Sequence, residues 1–156
     1  MISVTIPGYG ELNLQHIVLD YNGTMACDGV LIKEVEEKLN ILAGDLKVHI
    51  LTADTFGKAA AQCKGINGKL TILSNPIGGS EKENFVKKLG TDGVVAVGNG
   101  ANDAFMLARA ALGIAIIGPE GASGITIKSA DIIVSRICDA LDLLLNPQRL
   151  IATLRY

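Results

Sequence analysis

Six short and almost wholly apolar segments, each rich in valine or isoleucine, recur along the chain. Parallel strands that are buried on both faces have this pattern, because polar residues do not alternate with the apolar ones. The six predicted strands are HIVLD (16–20), LKVHILT (46–52), KLTILS (69–74), GVVAVG (93–98), GIAII (113–117) and DIIVS (131–135). The pattern therefore predicts a buried and mainly parallel sheet.

Segments with helical patterns lie between most of these strands. One predicted helix carries Leu31, Val35, Leu39 and Leu42 on a single face. Further helices are predicted over 55–64, 80–90, 102–111 and 136–155. Ser80 and Glu83 have the spacing of a capping box at the start of their helix, which is predicted to end at Gly90. Pro147 is predicted to break or kink the last helix.

Alternating strands and helices predict an α/β fold, a Rossmann-like three-layer sandwich with right-handed crossovers and one domain over residues 1–156. The first segment is too short for a strand–helix–strand unit. ISVTI and LNLQHIVLD are separated by Pro7-Gly8-Tyr9-Gly10 and predict a short N-terminal hairpin instead. About 25 residues connect the first two core strands and contain one helical pattern, so we expect no inserted cap domain.

The composition agrees with a large core, since 49% of residues are hydrophobic and 19% are charged. No apolar run approaches the roughly 20 residues of a membrane helix, and the N-terminus lacks the pattern of a signal peptide. The net charge is −2 without a basic block, so neither a membrane nor a nucleic acid is an expected partner. Three widely spaced cysteines predict reduced thiols and a cytoplasmic location.

Polar residues collect where the predicted strands end and where a helix begins. Ligands of open parallel sheets bind beyond the carboxyl ends of the strands. The residues expected at this edge are Asp20, Thr52, Lys82, Asn99, Asn102 and Asp103. Lys82 lies in the first turn of its helix, where a cation opposes the helix dipole unless an anion binds nearby.

The chemistry of this set is that of phosphoryl transfer. Two carboxylates and a backbone carbonyl can hold a magnesium ion (Mg2+), and a lysine and a hydroxyl can orient a phosphoryl group. Helix N-termini and glycine-rich turns add amide donors, and Asp20 is placed to attack phosphorus. Each residue alone has a plainer interpretation, such as an Asp20 that caps a turn or a Lys82 that is solvated. The convergence of all these residues on one edge favours a phosphoryl-transfer site.

The motifs resemble those of the haloacid dehalogenase (HAD) superfamily. Asp20-Tyr-Asn-Gly-Thr24, Thr52, Lys82 and GNGAND occur in the order and spacing of the four family motifs, over about residues 17–135. The likeness is closest to the phosphorylation domain of P-type ATPases and their soluble relatives, where a comparable loop precedes an apolar GIA strand. The resemblance implies the HAD-like fold without a cap, and a phosphatase or hydrolase activity.

The resemblance also implies a role for each matched residue. Asp20 is the expected nucleophile and a magnesium ligand, and Thr52 and Lys82 are expected to bind the phosphoryl group. The backbone carbonyl of Asn22 joins this catalytic set as a second magnesium ligand. The further expected magnesium ligands, directly or through water, are Asn99 and Asp103. The further expected substrate contacts are Gly23, Thr24, Ala53 and Asn102.

Two positions depart from the family pattern. Family phosphatases usually have an aspartate where this chain has Asn22, and an acid where it has Asn99. An amide does not shuttle protons at neutral pH, and loss of a positioned general acid costs about 100- to 10,000-fold in rate. P-type ATPases also lack an acid at the position of Asn22, and their phosphoenzyme hydrolyses slowly. We therefore expect a slow phosphatase, or one specific for good leaving groups such as acyl phosphates or nucleoside triphosphates.

Other interpretations remain open. The main alternative is a catalytically weak or inactive module that binds phosphoryl groups or metal, or an oligomeric scaffold, because both asparagines weaken the catalytic case. The GNGAND loop also resembles a dinucleotide-binding loop, but Asp103 replaces its third glycine and would repel a pyrophosphate. A receiver domain would need an acidic pair after an earlier strand, which the N-terminal MISVTIPGYG lacks.

The expected partner is a phosphorylated small molecule, a nucleotide or an acyl phosphate, and no motif selects among them. Capless members of the family that this chain resembles commonly cover their site with a neighbouring subunit or a large substrate. The apolar face of residues 140–154 is large for one small domain, so a homo-oligomer is predicted. His16 and His49 are expected to be structural strand residues. Residues 118–124 are expected to form a structural turn near the carboxyl edge of the sheet.

Overall fold

A parallel sheet of six strands lies at the centre of the structure, a computed structural model that describes residues 1–54 and 57–156. The strands are β1 (Ile2–Ile6), β2 (Gly10–Leu14), β3 (His16–Asp20), β4 (Ala26–Cys27), β5 (Val30–Leu31), β6 (Lys47–Thr52), β7 (Lys69–Ile72), β8 (Val94–Gly98), β9 (Leu112–Ile116) and β10 (Ile132–Val134). The central sheet has the order β10-β9-β8-β3-β6-β7, and every neighbouring pair is parallel. The predicted α/β fold is confirmed.

Helices cover both faces of this sheet and form the predicted three layers. They are α1 (Val35–Leu42), α2 (Lys58–Gln62), α3 (Gly79–Leu89), α4 (Ala104–Arg109), α5 (Gly124–Ser129), α6 (Ile137–Leu145) and α7 (Pro147–Leu154). One layer contains α1, α2, α6 and α7, and the other contains α3 and α4, against which α5 packs. In β3, Ile17 and Leu19 face the first layer and Val18 faces the second. Both faces of β3 are therefore buried, and Asp20 ends this inner strand at the carboxyl edge.

The predicted N-terminal hairpin is present, although its second strand is shorter than predicted. β1 and β2 pair with each other in an antiparallel sheet of their own. The predicted strand 12–20 divides at Gln15, whose carbonyl accepts a hydrogen bond from Lys47 and whose amide donates to Gly93. The apolar pattern explains the division, because burial alternates along β2 but not along β3.

The predicted capping box of Ser80 and Glu83 is wrong. Helix α3 begins at Gly79, because Gly78 takes a left-handed conformation with φ 68° and forms the cap without a side-chain hydrogen bond. Ser80 is then already inside the first turn, where its hydroxyl is too far along to act as a cap. Glu83 instead forms an ion pair with Lys87 at 2.7 Å on the helix surface.

The last predicted helix is two helices, since α7 begins at Pro147. Proline at the first position of a helix is favourable, because its missing amide would have no helical partner there. The apolar face of 140–154 is buried within the chain: Leu143, Leu144, Leu150 and Leu154 are each at most 8% exposed. The surface that suggested a homo-oligomer is thus covered by α1, α6 and β1, and the oligomer itself stays a prediction.

The connection from β3 to β6 contains the small β4–β5 hairpin and α1, and no cap domain lies within these fully described residues. The small hairpin and α5 were not predicted. Thr55 and Phe56, the first two residues of a predicted helix, lie outside the described residues. The cysteines are free, as predicted. No helix in the described part of the chain is long and apolar enough to cross a membrane.

Candidate active site

A buried lysine joins two carboxylates at the carboxyl edge of the sheet. The ammonium group of Lys82, in the first turn of α3, lies 2.6 Å from Asp20 Oδ1 and 2.6 Å from Asp103 Oδ1. Lys82 is 2% exposed, Asp20 7% and Asp103 0%. Three of the predicted residues, from three separate segments, therefore meet at one point.

When both carboxyl groups are ionised, the charges of this cluster do not cancel, since two carboxylates face one lysine. Burial and the neighbouring Asp103 raise the pKa of Asp20 to about 7, although Lys82 and Thr24 oppose the rise. Burial acts against the charge on Lys82, but the two carboxylates outweigh it and raise the lysine pKa. A buried net negative charge is costly unless a cation approaches it. The cluster is therefore suited to bind a further cation.

Asp103 also anchors the loop that follows β8. Its Oδ2 accepts hydrogen bonds from the amides of Asn99 at 3.0 Å and Gly100 at 2.9 Å. A Cβ atom on Gly98 would lie 2.5 Å from the carboxyl carbon of Asp103, so only glycine leaves room for this arrangement. Both oxygens of Asp103 are engaged within the chain. Its predicted role as a magnesium ligand stays a prediction, and the loop anchor is an additional role.

Thr24 connects the predicted nucleophile to Asn99. Its hydroxyl lies 3.3 Å from Asp20 Oδ2 and 3.2 Å from Asn99 Oδ1. A hydroxyl carries one proton and can donate it to only one of these oxygens at a time. The side chain of Asn99 also packs against Gly23, which has φ +78° and no room for a Cβ atom. The first and last motifs are therefore in direct contact.

The loop at 118–123 is fastened to the same place. Asn99 Nδ2 donates to the Gly121 carbonyl at 3.0 Å, and the Ser123 amide donates to the Asn99 carbonyl at 2.9 Å. The hydroxyl of Thr126, which is fully buried, donates to the Gly100 carbonyl at 2.5 Å. Thr126 was missed because a threonine in an unpredicted short helix carries no distinctive sequence signal.

Thr52 and Ala53 lie on the neighbouring strand end. Leu51 is in register with Asp20 and accepts a hydrogen bond from the Tyr21 amide at 3.2 Å. Thr52 is buried, and its hydroxyl accepts a hydrogen bond from the Asp54 amide at 3.1 Å. Ala53 is half-buried. The structure thus brings Thr52 to the carboxyl edge of the sheet, where Asp20 also lies.

Asn22 and Asn102 lie at the margins of the site. Asn22 is exposed and follows Asp20, the predicted nucleophile, in a turn closed by a hydrogen bond from the Gly23 amide to the Ala26 carbonyl. Asn102 is half-buried, and its Nδ2 donates to the Ile77 carbonyl at 3.0 Å. Asn102 therefore orients a second loop, the one that follows β7.

The donor atoms of the site fit a magnesium ion. Among the described residues, no group of three or more His, Cys, Asp or Glu side chains could hold a metal. Asp20 Oδ2 and Asn99 Oδ1 nevertheless converge on a single hydroxyl, so one of them always lacks that donor. Magnesium prefers oxygen ligands, keeps several waters and needs only one or two carboxylates. The set of donors and the net negative charge are those of such a site.

The two histidines lie away from this edge. His16 and His49 are strand residues that share a hydrogen bond of 3.1 Å between Nδ1 and Nε2. His16 begins β3, whereas Asp20 ends it. Burial, then the neighbouring His16 and lysines, lower the pKa of His49 to about 4. In the part of the chain that the structure describes, the pair has no hydrogen bond or ring contact with the site.

Comparison with known proteins identifies relatives in sequence. No protein-family model matches the chain. An uncharacterized protein of Methanocaldococcus jannaschii is 55% identical over 87 residues, which is 56% of this chain and 84% of that protein. A probable copper-exporting P-type ATPase of Archaeoglobus fulgidus is 38% identical over 92 residues, or 58% of this chain and 11% of the ATPase. The chain thus spans a small part of the transporter.

Solved structures share the fold. A structure from Legionella pneumophila assigned to the HAD superfamily, subfamily III A, has a TM-score of 0.72 at 17% identity and covers 90% of this chain and 87% of its own. The 3-deoxy-D-manno-octulosonate 8-phosphate phosphatase of Moraxella catarrhalis, solved with magnesium and phosphate ions, has a TM-score of 0.72 at 16% identity and covers 89% and 90%. The catalytic domain of the CPx-ATPase CopB-B has a TM-score of 0.61 at 28% identity and covers 74% and 46%.

These likenesses agree with the three-layer arrangement of helices on a parallel sheet. The chain therefore belongs to the family of the M. jannaschii protein, with the fold of the haloacid dehalogenase superfamily and a sequence that resembles P-type ATPases.

Proposed function

We propose that the protein is a magnesium-dependent phosphoryl-transfer hydrolase that acts through an aspartyl phosphate on Asp20. The observation that carries this proposal is the buried lysine that contacts both Asp20 and Asp103 at 2.6 Å, at the end of an inner strand. A structural ion pair alone is a poor reason to bury two carboxylates with one cation. Attack by Asp20 on an electrophilic, negatively charged substrate would explain why these three charged residues are buried together.

The first chemical step uses the Asp20 carboxylate as a nucleophile. One of its oxygens forms a bond to phosphorus while the bond from phosphorus to the leaving-group oxygen breaks, and the leaving group keeps that electron pair. Lys82 holds Asp20 at 2.6 Å and supplies positive charge beside the phosphoryl oxygens. The hydroxyls of Thr24 and Thr52 are the nearby neutral donors that could orient the transferring group.

The second step regenerates the carboxylate. A water oxygen bonds to phosphorus, the bond from phosphorus to the Asp20 oxygen breaks, and inorganic phosphate leaves with the water proton passing to solvent. Asn22 cannot accept that proton, because an amide is not a base at neutral pH. The phosphoenzyme is therefore proposed to hydrolyse slowly, and substrates with good leaving groups are favoured.

The metal would be held by Asp20, the backbone carbonyl of Asn22 and Asn99, with Asp103 contributing directly or through water. When bound, magnesium supplies neutralisation of charge on the phosphoryl oxygens. The comparisons support the proposal in coarse terms, because the structural neighbours include a phosphatase and the catalytic domain of a CPx-ATPase. A phosphorylated small molecule, a nucleotide or an acyl phosphate is the proposed substrate.

A second candidate is a module that binds phosphoryl groups or magnesium without turnover. It is favoured by one observation, the exposed Asn22 at the position where family phosphatases have their acid. The nucleophile and lysine would then serve binding alone.

The experiment that separates the two is a phosphoenzyme assay. Native protein is incubated with magnesium and 32P-labelled acetyl phosphate or ATP, beside Asp20→Asn and the control Asp92→Asn, which changes an exposed aspartate remote from the site. The enzyme predicts a hydroxylamine-sensitive label on the native protein and the control, and none on Asp20→Asn. Absence of label on all three, together with no hydrolysis of an aryl phosphate, would support the binding module.

A further inference from the structure

The loop that follows β8 is held from two sides. On one side, Asp103 Oδ2 accepts hydrogen bonds from the amides of Asn99 at 3.0 Å and Gly100 at 2.9 Å. On the other side, the carbonyls of the same two residues are the acceptors. The Asn99 carbonyl accepts from the Ser123 amide at 2.9 Å, and the Gly100 carbonyl accepts from the Thr126 hydroxyl at 2.5 Å. The main chain of Asn99 and Gly100 is therefore fixed through its amides and its carbonyls alike.

Thr126 supplies its contact from outside the loop, out of helix α5. The residue is 0% exposed, and a buried hydroxyl is costly unless it has a hydrogen-bond partner. Threonine and serine in helices can bond to a carbonyl of the preceding turn. Ser129 on the same helix does so, since its hydroxyl donates to the Ile125 carbonyl at 2.9 Å. Thr126 instead donates to the loop that carries Asn99, so its hydroxyl connects two separate segments.

The Gly100 carbonyl has a second donor besides Thr126. It also accepts a hydrogen bond from the Asp103 amide at 2.9 Å, which closes the short turn at 100–103. A carbonyl oxygen has two lone pairs and can accept both bonds at once. Loss of the Thr126 hydroxyl would leave the bond from Asp103 in place, so the turn is expected to persist. The hydroxyl therefore contributes mainly to the exact direction of this carbonyl.

Gly100 lies between two residues of the candidate site. Asn99 precedes it directly, and Asn99 Oδ1 lies 3.2 Å from the Thr24 hydroxyl. Asp103 is bonded to the Gly100 amide through Oδ2 and to Lys82 through Oδ1. A shift of Gly100 would thus displace both Asn99 and Asp103. Groups that act on a ligand or metal need to be held within about 0.5 Å of their working positions, so such a shift would matter.

We infer that Thr126 is a positioning residue of the magnesium site. Through the Gly100 carbonyl, it holds Asn99 Oδ1 and the Asp103 carboxylate in the places where they serve a metal ion. This inference rests on the proposed function, since it concerns the same site. The competing explanation is a hydroxyl that stabilises the fold and has no effect on the metal, and the experiments separate the two.

Magnesium binding without substrate is the first test, because it does not depend on turnover. Thr126→Val keeps nearly the same shape and removes the hydroxyl. Calorimetry is expected to show magnesium affinity about tenfold weaker in this variant, the loss typical of groups that orient metal ligands. Thr126→Ser restores the hydroxyl and is expected to return the affinity close to that of the native protein. Ser129→Ala is the control, because it removes another hydroxyl of α5 that bonds within its own helix, and it should bind magnesium as the native protein does.

The magnesium requirement of phosphoenzyme formation is the second test. Thr126→Val is expected to need about tenfold more magnesium for half-maximal labelling by acetyl phosphate. At saturating magnesium its labelling should approach that of the native protein, because the metal then restores the occupied site. A hydroxyl that only stabilises the fold would lower the midpoint of urea denaturation and leave the magnesium requirement unchanged, and that result overturns the inference.

The outcomes distinguish this inference from the proposed function. Equal magnesium affinity in the native protein and Thr126→Val overturns the positioning role and leaves the proposed function standing. A loss that Thr126→Ser does not restore also overturns it, because packing and not the hydroxyl would then be the cause. If the loss and its rescue are observed but the native protein forms no aspartyl phosphate, the positioning role is supported and the hydrolase fails. A native protein that binds no magnesium overturns both.

Discussion

Asn99 Nδ2 donates a hydrogen bond to the carbonyl oxygen of Gly121 at 3.0 Å. The same side chain accepts from Thr24 through Oδ1 at 3.2 Å. An ionised aspartate has only acceptor oxygens, so it could not make the first of these bonds. The amide at a position where the family usually has an acid therefore has a structural reason in this chain. It fastens the loop at 118–123 to the site.

Asn99→Asp is expected to lower the free energy of unfolding by about 1 to 2 kcal/mol at neutral pH. The cause is the carboxylate that would face the Gly121 carbonyl and leave it without its donor. Urea denaturation in the presence of a chelator measures the effect. Asn13→Asp, an exposed change on β2 with the same change of charge, should cost less than about 0.5 kcal/mol. Equal losses in the two variants would show that the Gly121 bond contributes nothing.

Asn22→Asp is expected to raise the hydrolysis of simple alkyl phosphates by about 100-fold. A carboxylate there could protonate the leaving group and later activate water, and the exposed position of Asn22 leaves room for it. Steady-state phosphate release provides the measurement, with Asn22→Ala as a control that should give no gain. A phosphoenzyme that forms normally in Asn22→Asp but hydrolyses no faster would contradict the role assigned to this position.

The site could be predicted from sequence where it depends on strand ends. Asp20 and Asp103 follow apolar runs, and parallel strands place their carboxyl ends at one edge, so their meeting with Lys82 follows from topology. The contacts of Asn99 with Gly121 and of Thr126 with Gly100 could not be predicted, because they depend on the path of irregular loops that have no periodicity.

The fold, like the site, could be predicted from the sequence only in part. Apolar runs identified the core strands, since burial on both faces leaves a clear pattern. The capping box at Ser80 failed because Gly78 can take a positive φ and start the helix earlier. The apolar face of 140–154 suggested a partner, yet α7 turns at Pro147 and packs on β1 and α6. The hydrophobic pattern shows that a helix face is apolar, but it does not show which surface of the protein covers that face.

Lys82→Met is expected to lower the free energy of unfolding by about 3 kcal/mol. The methionine keeps the apolar stem but leaves Asp20 and Asp103 as uncompensated buried carboxylates. Adding Asp103→Asn should recover part of the loss, so that the two changes are not additive. The control is Lys87→Met on the exposed side of α3, whose ion pair with Glu83 is worth less than about 1 kcal/mol. Additive losses in the double variant would contradict the shared charge.

The pH dependence of stability tests the buried state of His49. Its pKa is about 4 in the folded protein and 6.5 as the unperturbed value, so between these values the unfolded chain binds a proton that the folded chain does not. The stability that neutral His49 contributes is therefore complete above about pH 6.5 and is lost as the pH falls toward 4. Asp20, whose folded pKa is raised, contributes the opposite slope below about pH 7. That slope is common to the native protein and His49→Leu, so the difference between their denaturation curves isolates the histidine. We expect the native protein to lose more stability than His49→Leu between pH 7 and 4.5. Equal losses of stability in the two proteins would show that His49 is protonated without cost in the folded state.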